Sequence, residues 1–323
     1  MSHRWLYAIA LLLMGVAIPA SAQTWPTKPI KAIVPYTAGS ATDIIPRTVF
    51  AQVEKQLGQP IVIENRDGGA STIGTNAVAK SEADGYTFLV ASSAFTTVPL
   101  TVENLPYDPV RDFTAVIPLA NMANVLVISP AKGIKTVGDF VTAARAKSGS
   151  INYVTIGAGS AAHLNSERFR LAAKFEAQPI PFKGSPAGLT EVVAGRVDFY
   201  FCPLLPALGL IRDGKLTALA VSSSQRAPNL PDVPTTVEAG FPNSEYNFWF
   251  GVFAPAKTPP AIIQRLHAEI AKALQDPGVK EKLAKLAVQP MPMTPAQFND
   301  YVRKELEQNA ALVKAAGIKP QKL

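Results

Sequence analysis

Apolar runs of strand length alternate with longer amphipathic stretches through most of this 323-residue chain, and no other feature narrows the fold so far. Alternation of that kind specifies βα units built on parallel sheets, an α/β protein. The expected first unit is a strand at 30–34, a turn over 35–42 and a helix over 43–57 stopped by Gly58, followed by a strand at 61–64. After the Gly-rich run Asp67-Gly68-Gly69-Ala70 comes a helix ending at Lys80. Asp84-Gly85 then turns the chain into a strand at 86–91, which places Ser92 and Ser93 at a strand's C-terminal end.

Residues 116–129 are apolar but interrupted by Asn121 and Asn124, the expected crossing into a second lobe. There the pattern restarts: helix 137–147, strand 151–156, the turn Gly157-Ala158-Gly159, a helix opening at Ser160, a strand at 180–182, a helix over 186–194, and strands at 197–201 and 216–222. The Pro-rich stretch 226–242 returns the chain to a strand at 248–254. Helices follow over 259–275, 277–286 and 295–316, the last stopped by Gly317. The expected arrangement is two α/β lobes joined by a hinge, with residues 23–122 and 241–323 in a discontinuous lobe 1 and 123–240 in lobe 2. A cleft between hinged lobes is where small ligands bind.

Residues 1–22 stand apart from this pattern. His3 and Arg4 form a short basic start, 5–18 is an apolar run, and Ala20-Ser21-Ala22 supplies the small residues a signal peptidase reads, so cleavage is expected before Gln23. The run is short for a membrane span and no later segment replaces it, so the expectation is an exported, soluble chain. Cys202 is the single cysteine; an intramolecular disulfide is excluded, and so is a lipid anchor on an N-terminal cysteine. About 300 mature residues are enough for burial alone to hold two domains together. Without Arg4, 30 basic side chains face 24 acidic ones. They are scattered, with no basic stripe, which argues against nucleic acid and for a mild field favouring anionic solutes.

The usual enzyme toolkits are missing. Outside the leader only His163 and His267 remain, with no CxxC, HExxH, GxSxG or P-loop sequence; no metal or cofactor is expected. Gly157-Ala158-Gly159 opens like a dinucleotide fingerprint but lacks the third glycine and the acidic residue after the next strand. What both lobes share is a strand that enters a Gly-containing turn and then a helix, at Thr37-Ala38-Gly39-Ser40-Ala41-Thr42 and at Gly157-Ala158-Gly159-Ser160-Ala161. Unpaired amides and the positive helix end meet at such turns and can hold a carboxylate without arginine, and Thr37, Ser40, Thr42 and Ser160 add hydroxyls. Two facing turns make a clamp for a dicarboxylate. A purely structural reading competes: Ser160 as an N-cap, Asp43 satisfying its helix's first turn, and glycines that only permit tight turns. His163 either approaches the cleft or packs beneath it, and Asp198 either contacts ligand or pairs with a neighbouring backbone donor. The candidate ligand contacts are thus Tyr36, Thr37, Ala38, Gly39, Ser40, Ala41, Thr42, Asp43, Ser92, Ser93, Gly159, Ser160, Ala161, His163 and Asp198.

Trp25-Pro26-Thr27-Lys28-Pro29-Ile30, Ile33-Val34-Pro35-Tyr36, Gly58-Gln59-Pro60, Glu64-Asn65-Arg66, Asp84-Gly85-Tyr86-Thr87, Tyr107-Asp108-Pro109 and Arg111-Asp112-Phe113 follow one another in the first half. Gly157-Ala158-Gly159-Ser160 with His163-Leu164, Phe182-Lys183-Gly184, Ala194-Gly195-Arg196-Val197-Asp198, Pro231-Asp232-Val233-Pro234-Thr235, Glu238-Ala239-Gly240 and Trp249 continue the series. In that order they resemble the Bug family, the extracytoplasmic solute receptors of tripartite tricarboxylate transporters, over essentially the whole mature chain. The resemblance implies a type II periplasmic-binding fold that closes on an organic acid. It also implies capture of the carboxylate by backbone amides at 37–42 and 160–163, with Ser92 and Ser93 nearby and ordered water at the far end. A periplasmic monomer that hands a small carboxylate or dicarboxylate to membrane permease subunits is expected.

Two departures stand out. The family usually has two prolines and two glycines after the Tyr36 position, where Thr37-Ala38-Gly39-Ser40 stands here, and Phe182 replaces a common tyrosine. The changed turn points to a different ligand, such as an aromatic dicarboxylate of the terephthalate kind. A periplasmic sensor that presents a carboxylate to a signalling receptor fits the same sequence. A hydrolase using Ser160 with His163 fits poorly, since their three-residue spacing does not aim a base at a nucleophile and no acidic orienter is evident.

Overall fold

The computed structural model describes residues 25–147, 149–157 and 159–322. The expected leader at 1–22 and Ala158 of the second turn lie outside the described residues. Two sheets carry the architecture. In the first, β1 (Ile30–Val34) lies parallel between β2 (Ile61–Asn65) and β3 (Thr87–Ser92). There β10 (Phe248–Pro255) runs antiparallel between β3 and β4 (Phe113–Met122), and the short β11 (Val288–Gln289) edges β4.

Ala123 alone separates β4 from β5 (Asn124–Ile128), yet β5 belongs to the other sheet, antiparallel between β8 (Tyr200–Pro203) and β9 (Thr217–Val221). There β6 (Ile151–Thr155) pairs in parallel with β7 (Ala177–Pro181), and a bridge from Tyr153 to Phe199 ties this pair to the start of β8. Both sheets therefore share one order, β2-β1-β3-β10-β4 against β7-β6-β8-β5-β9. In each, the strand fourth in that order arrives from the other side of a crossing. This makes β1 and β6 equivalent, and with them the turns they enter.

Among the described residues the helices are α1 (Ala41–Leu57), α2 (Thr72–Ala79), α3 (Val98–Thr101), α4 (Val137–Ala146), α5 (Ala161–Ala173), α6 (Ser185–Val193), α7 (Leu204–Arg212), α8 (Pro260–Gln275), α9 (Pro277–Lys285) and α10 (Pro295–Ala315). They cover both faces of the first sheet, so its strands are buried on both sides. Ala32 and Val34 pack with Val49, Phe50 and Val53 of α1 and Ile270 of α8, whereas Ile33 and Trp249 pack with Phe298 of α10 on the other face. Each such side chain contributes about 1.5–3 kcal/mol by leaving water. Among the described residues no helix is long and apolar enough to cross a membrane.

Among the elements that differ from the sequence expectation, four do so for an identifiable local reason. The third strand of the second sheet runs over Tyr200–Pro203 because the residues before it are held differently: Asp198 and Asn152 exchange side-chain-to-amide bonds of 2.9 Å each. β7 begins at Ala177 and tolerates Pro179 and Pro181 because it is an edge strand. Helix α7, sequence LLPALGLIR, has no polar side chain before Arg212 and contains Pro206 and Gly209, so it does not read as an amphipathic helix although it buries Leu204, Ala207 and Leu208 at helical spacing. The uncharged segment after β3 folds into a 3-10 turn (Ser93–Thr96) and α3, with Ser92 accepting from the Ala94 amide.

Candidate ligand-binding cleft

The turns after β1 and β6 share a backbone conformation. Gly39 and Gly159 adopt φ of +82° and +72°, a region that favours glycine. Ser40 and Ser160 are the N-caps, at φ/ψ of −70°/162° and −63°/158°. The Ser40 N–H returns to the Thr37 carbonyl at 3.3 Å and the Ser160 N–H to the Gly157 carbonyl at 3.2 Å. The third residue of each helix reaches back four positions to accept the glycine amide: Asp43 Oδ2 from Gly39 at 2.9 Å, His163 Nδ1 from Gly159 at 3.2 Å. Its own amide is also engaged, that of Asp43 by the Ser40 carbonyl at 3.0 Å and that of His163 by Ser160 Oγ at 3.3 Å. The amides of Ala41, Thr42, Ala161 and Ala162 have no partner among the described residues. Each helix thus offers its first two N–H groups, where the backbone dipoles favour an anion.

Asp43 and His163 build their turns with the very atoms that would meet a ligand. Asp43 is 3% exposed and also accepts from Arg47 Nε at 2.9 Å and Asn65 Nδ2 at 3.0 Å. Burial works against its ionisation, but these bonds and the Gly39 amide outweigh it and hold the carboxyl below the usual carboxylate range. Asn65 donates as well to the Tyr36 carbonyl at 3.0 Å, fixing the entry to the turn. Burial lowers the pKa of His163. Because Nδ1 accepts a hydrogen bond, the neutral ring carries its proton on Nε2.

Ser92 and Ser93 lie where β3 ends beside these turns. Tyr36 Oη and Ser92 Oγ are 2.7 Å apart, and Ser93 Oγ is 3.2 Å from Tyr246 Oη; burial raises the pKa of both tyrosines. Four residues on, Thr97 Oγ1 donates to the Gly159 carbonyl at 3.0 Å. Thr101 seats against Gly159 so closely that a Cβ there would stand 2.5 Å from Thr101 Oγ1, whereas a Cβ on Gly39 would meet nothing within 4 Å. One short segment, from Ser92 to Thr101, therefore touches both turns and brings the lobes together. At about 2 Å of rise per 3-10 residue, its contacts with the two turns are roughly 10 Å apart. Ser40 Oγ is buried without a partner among the described residues, while Ser160 Oγ lies 3.3 Å from Thr155 Oγ1.

Asp198 is not brought to this place. Its carboxylate takes the Asn152 amide at 2.9 Å and Lys132 Nζ at 2.6 Å, toward the opposite end of β6 from the turn. Cys202 is buried, which pushes its thiol pKa up. A groove of about 800 Å³ lies behind α5, against α10, on the side away from the turns. Thr97, Thr101 and Arg47 were not singled out from sequence, and Asn65 stood only within the family marker Glu64-Asn65-Arg66. Asn65 had a signal, since it ends the strand next to β1; the threonines had none.

Two equivalent α/β lobes, exchanged strands and paired helix starts with open amides define a two-lobed solute-binding protein of the type II periplasmic class. The family model described as tripartite tricarboxylate transporter family receptor matches residues 45–318. Protein BugT of Bordetella pertussis is 35% identical over 316 residues, 96% of each chain. The R. palustris protein Rpa4515, solved with adipate, aligns with a TM-score of 0.80 at 33% identity, over 92% of this chain and 100% of that one. MatC from Rhodopseudomonas palustris, solved with malate, aligns with a TM-score of 0.75 at 30% identity, over 90% of this chain and 100% of that one. The chain belongs to the tripartite tricarboxylate transporter receptor family, as its Bug-like markers implied, and this is a family of receptors rather than enzymes.

Proposed function

We propose that this chain is a periplasmic receptor that captures a small dicarboxylate between the turns after β1 and β6 and delivers it to the membrane subunits of a tripartite tricarboxylate-type transporter. The observation that carries the reading is the set of four open amides, at Ala41, Thr42, Ala161 and Ala162, on equivalent helix starts. Hydrogen bonds to a charged acceptor are stronger than neutral ones, so four such donors need no cationic side chain. Adipate in one relative and malate in another support a dicarboxylate.

The first turn's hydroxyls, at Thr37 and Ser40, support a ligand different from that of relatives with the Pro-Pro-Gly-Gly turn; terephthalate is the aromatic candidate. In this reading the lobes divide at Ala123 and near residue 241, and the chain acts as a monomer after losing its leader. A thermal-shift screen of the mature chain against aliphatic and aromatic mono- and dicarboxylates tests it, because a ligand that binds only the folded state raises apparent stability. A concentration-dependent rise selective for one dicarboxylate supports the reading. No rise for any acid, with protein verified free of ligand, overturns it.

A further inference from the structure

A second tie between the lobes runs behind the cleft through side chains that the ligand reading does not use. Arg168 lies on α5, seven residues past Ala161, whose amide is one of the open donors. Its Nη1 donates to the Glu245 carbonyl of the return segment at 2.9 Å, and its Nη2 to Asn309 Oδ1 of α10 at 2.9 Å. Since a guanidinium only donates, the Asn309 amide orientation is settled. Asn309, 1% exposed, passes its own N–H to Thr96 Oγ1 at 3.1 Å. Thr96 is fully buried against Glu305 Oε2 at 2.7 Å, which Trp249 Nε1 also reaches at 2.8 Å. The next residue, Thr97, holds the Gly159 carbonyl at the start of α5. Helix α5 is therefore gripped at two points, both leading to Thr96-Thr97.

We propose that Arg168 and Asn309 are positioning residues for ligand capture, a strap that sets the angle at which α5 presents Ala161 and Ala162 and so fixes the balance between closed and open lobes. Its binding readout rests on the receptor reading above. Arg168 stands roughly 10 Å along the helix from Ala161, so a pivot of about 5° at the strap moves the open amides by roughly 1 Å. That is enough to lengthen a hydrogen bond beyond its useful range. Without the strap the same presentation must be reached at a cost to the closed form, which lowers apparent affinity while the contacts of the bound state stay the same.

The test uses the mature chain and two probes, adipate and malate, titrated calorimetrically into wild type, Asn309→Leu, Arg168→Met and the double variant, with small-angle scattering of each ligand-free protein. Expected are a five- to twentyfold loss of affinity for whichever probes bind, an adipate-to-malate ratio within twofold of wild type where both bind, and a larger ligand-free radius of gyration. The double variant should be no weaker than the weaker single, because both substitutions cut one chain. Arg168 is half-exposed, so its variant keeps the test available if Asn309→Leu does not fold. Affinities within twofold of wild type, a changed ratio, or losses that multiply in the double variant overturn the strap. If wild type binds neither probe, the ligand class proposed above fails on its own account. An unchanged ligand-free radius in the variants then overturns the strap separately.

Discussion

Proline at the first helical position deletes one amide hydrogen and little else, which makes Ala161→Pro a direct probe of backbone capture. The fixed φ of proline suits that position, and Ser160 already has the extended ψ of 158° that a residue before proline requires. The Ala161 N–H has no partner among the described residues, so no internal bond is lost. Stability should hold or rise by about 0.4–1 kcal/mol through the unfolded chain. Binding should not hold: a hydrogen bond to a charged group is worth about 1.5–3 kcal/mol, a loss of roughly 10- to 150-fold in affinity. Ala41→Pro should behave likewise, as Ser40 has ψ of 162°. Calorimetric titration with the acid selected by thermal shift, alongside thermal unfolding, gives both quantities. A folded Ala161→Pro variant that binds within threefold of wild type would refute amide capture at this turn.

Gly159→Ala and Gly39→Ala strain φ similarly, but only the former drives a Cβ to 2.5 Å from Thr101 Oγ1. With overpacking costing about 1–3 kcal/mol in the closed form, Gly159→Ala should weaken binding roughly tenfold and Gly39→Ala far less; equal losses by titration would remove Thr101 from closure. Asp43→Ala leaves the Gly39 amide and Arg47 Nε without their acceptor and should cost about 1–3 kcal/mol in denaturant unfolding. Because the folded pKa of Asp43 is depressed, its contribution is present above the unfolded value and is lost as pH falls through the folded one. That acid-limb loss should be absent in the variant. Glu305 behaves in the opposite sense: burial raises its pKa to about 7, against hydrogen bonds from Thr96 and Trp249 that lower it. The folded state then binds the extra proton between the unfolded value of 4.5 and about 7, so stability falls as pH rises through that window. Thr96 Oγ1 lies 2.8 Å from the Ser93 carbonyl and 2.7 Å from Glu305 Oε2, so its one proton is shared between two acceptors. Melting temperatures of Glu305→Gln should show a flatter profile from pH 5 to 8; an unchanged slope assigns the titration elsewhere.

How much of this was legible depends on the range of the interaction. The helix after β1 and its stop at Gly58 are local, as are the Ser160 cap and the Pro-led starts of α8, α9 and α10, and all appear in the sequence. The two turns were legible as candidate anion sites because glycine, serine and a helix start are contiguous. The return of Asp43 onto its own first turn was readable too, since helical side chains tilt toward the N-terminus and fall over the preceding turn, whereas the sequence left His163 open between the cleft and the packing beneath it. The contact from Thr97 to Gly159 was not, because it joins residues 62 apart across two lobes and Thr97 belongs to no motif. Asp198 shows the same limit. A carboxylate in a strand-like run is compatible with either role, and only the placement of Asn152 and Lys132 assigns it to the scaffold.

A crystal structure of the mature chain with the acid selected by thermal shift tests the central claim most directly. The account predicts one carboxylate within hydrogen-bonding distance of the Ala41 and Thr42 amides, and the Ala161 and Ala162 amides engaged from the opposite lobe. A carboxylate held by lysine or arginine side chains, or lodged in the groove behind α5, would contradict it.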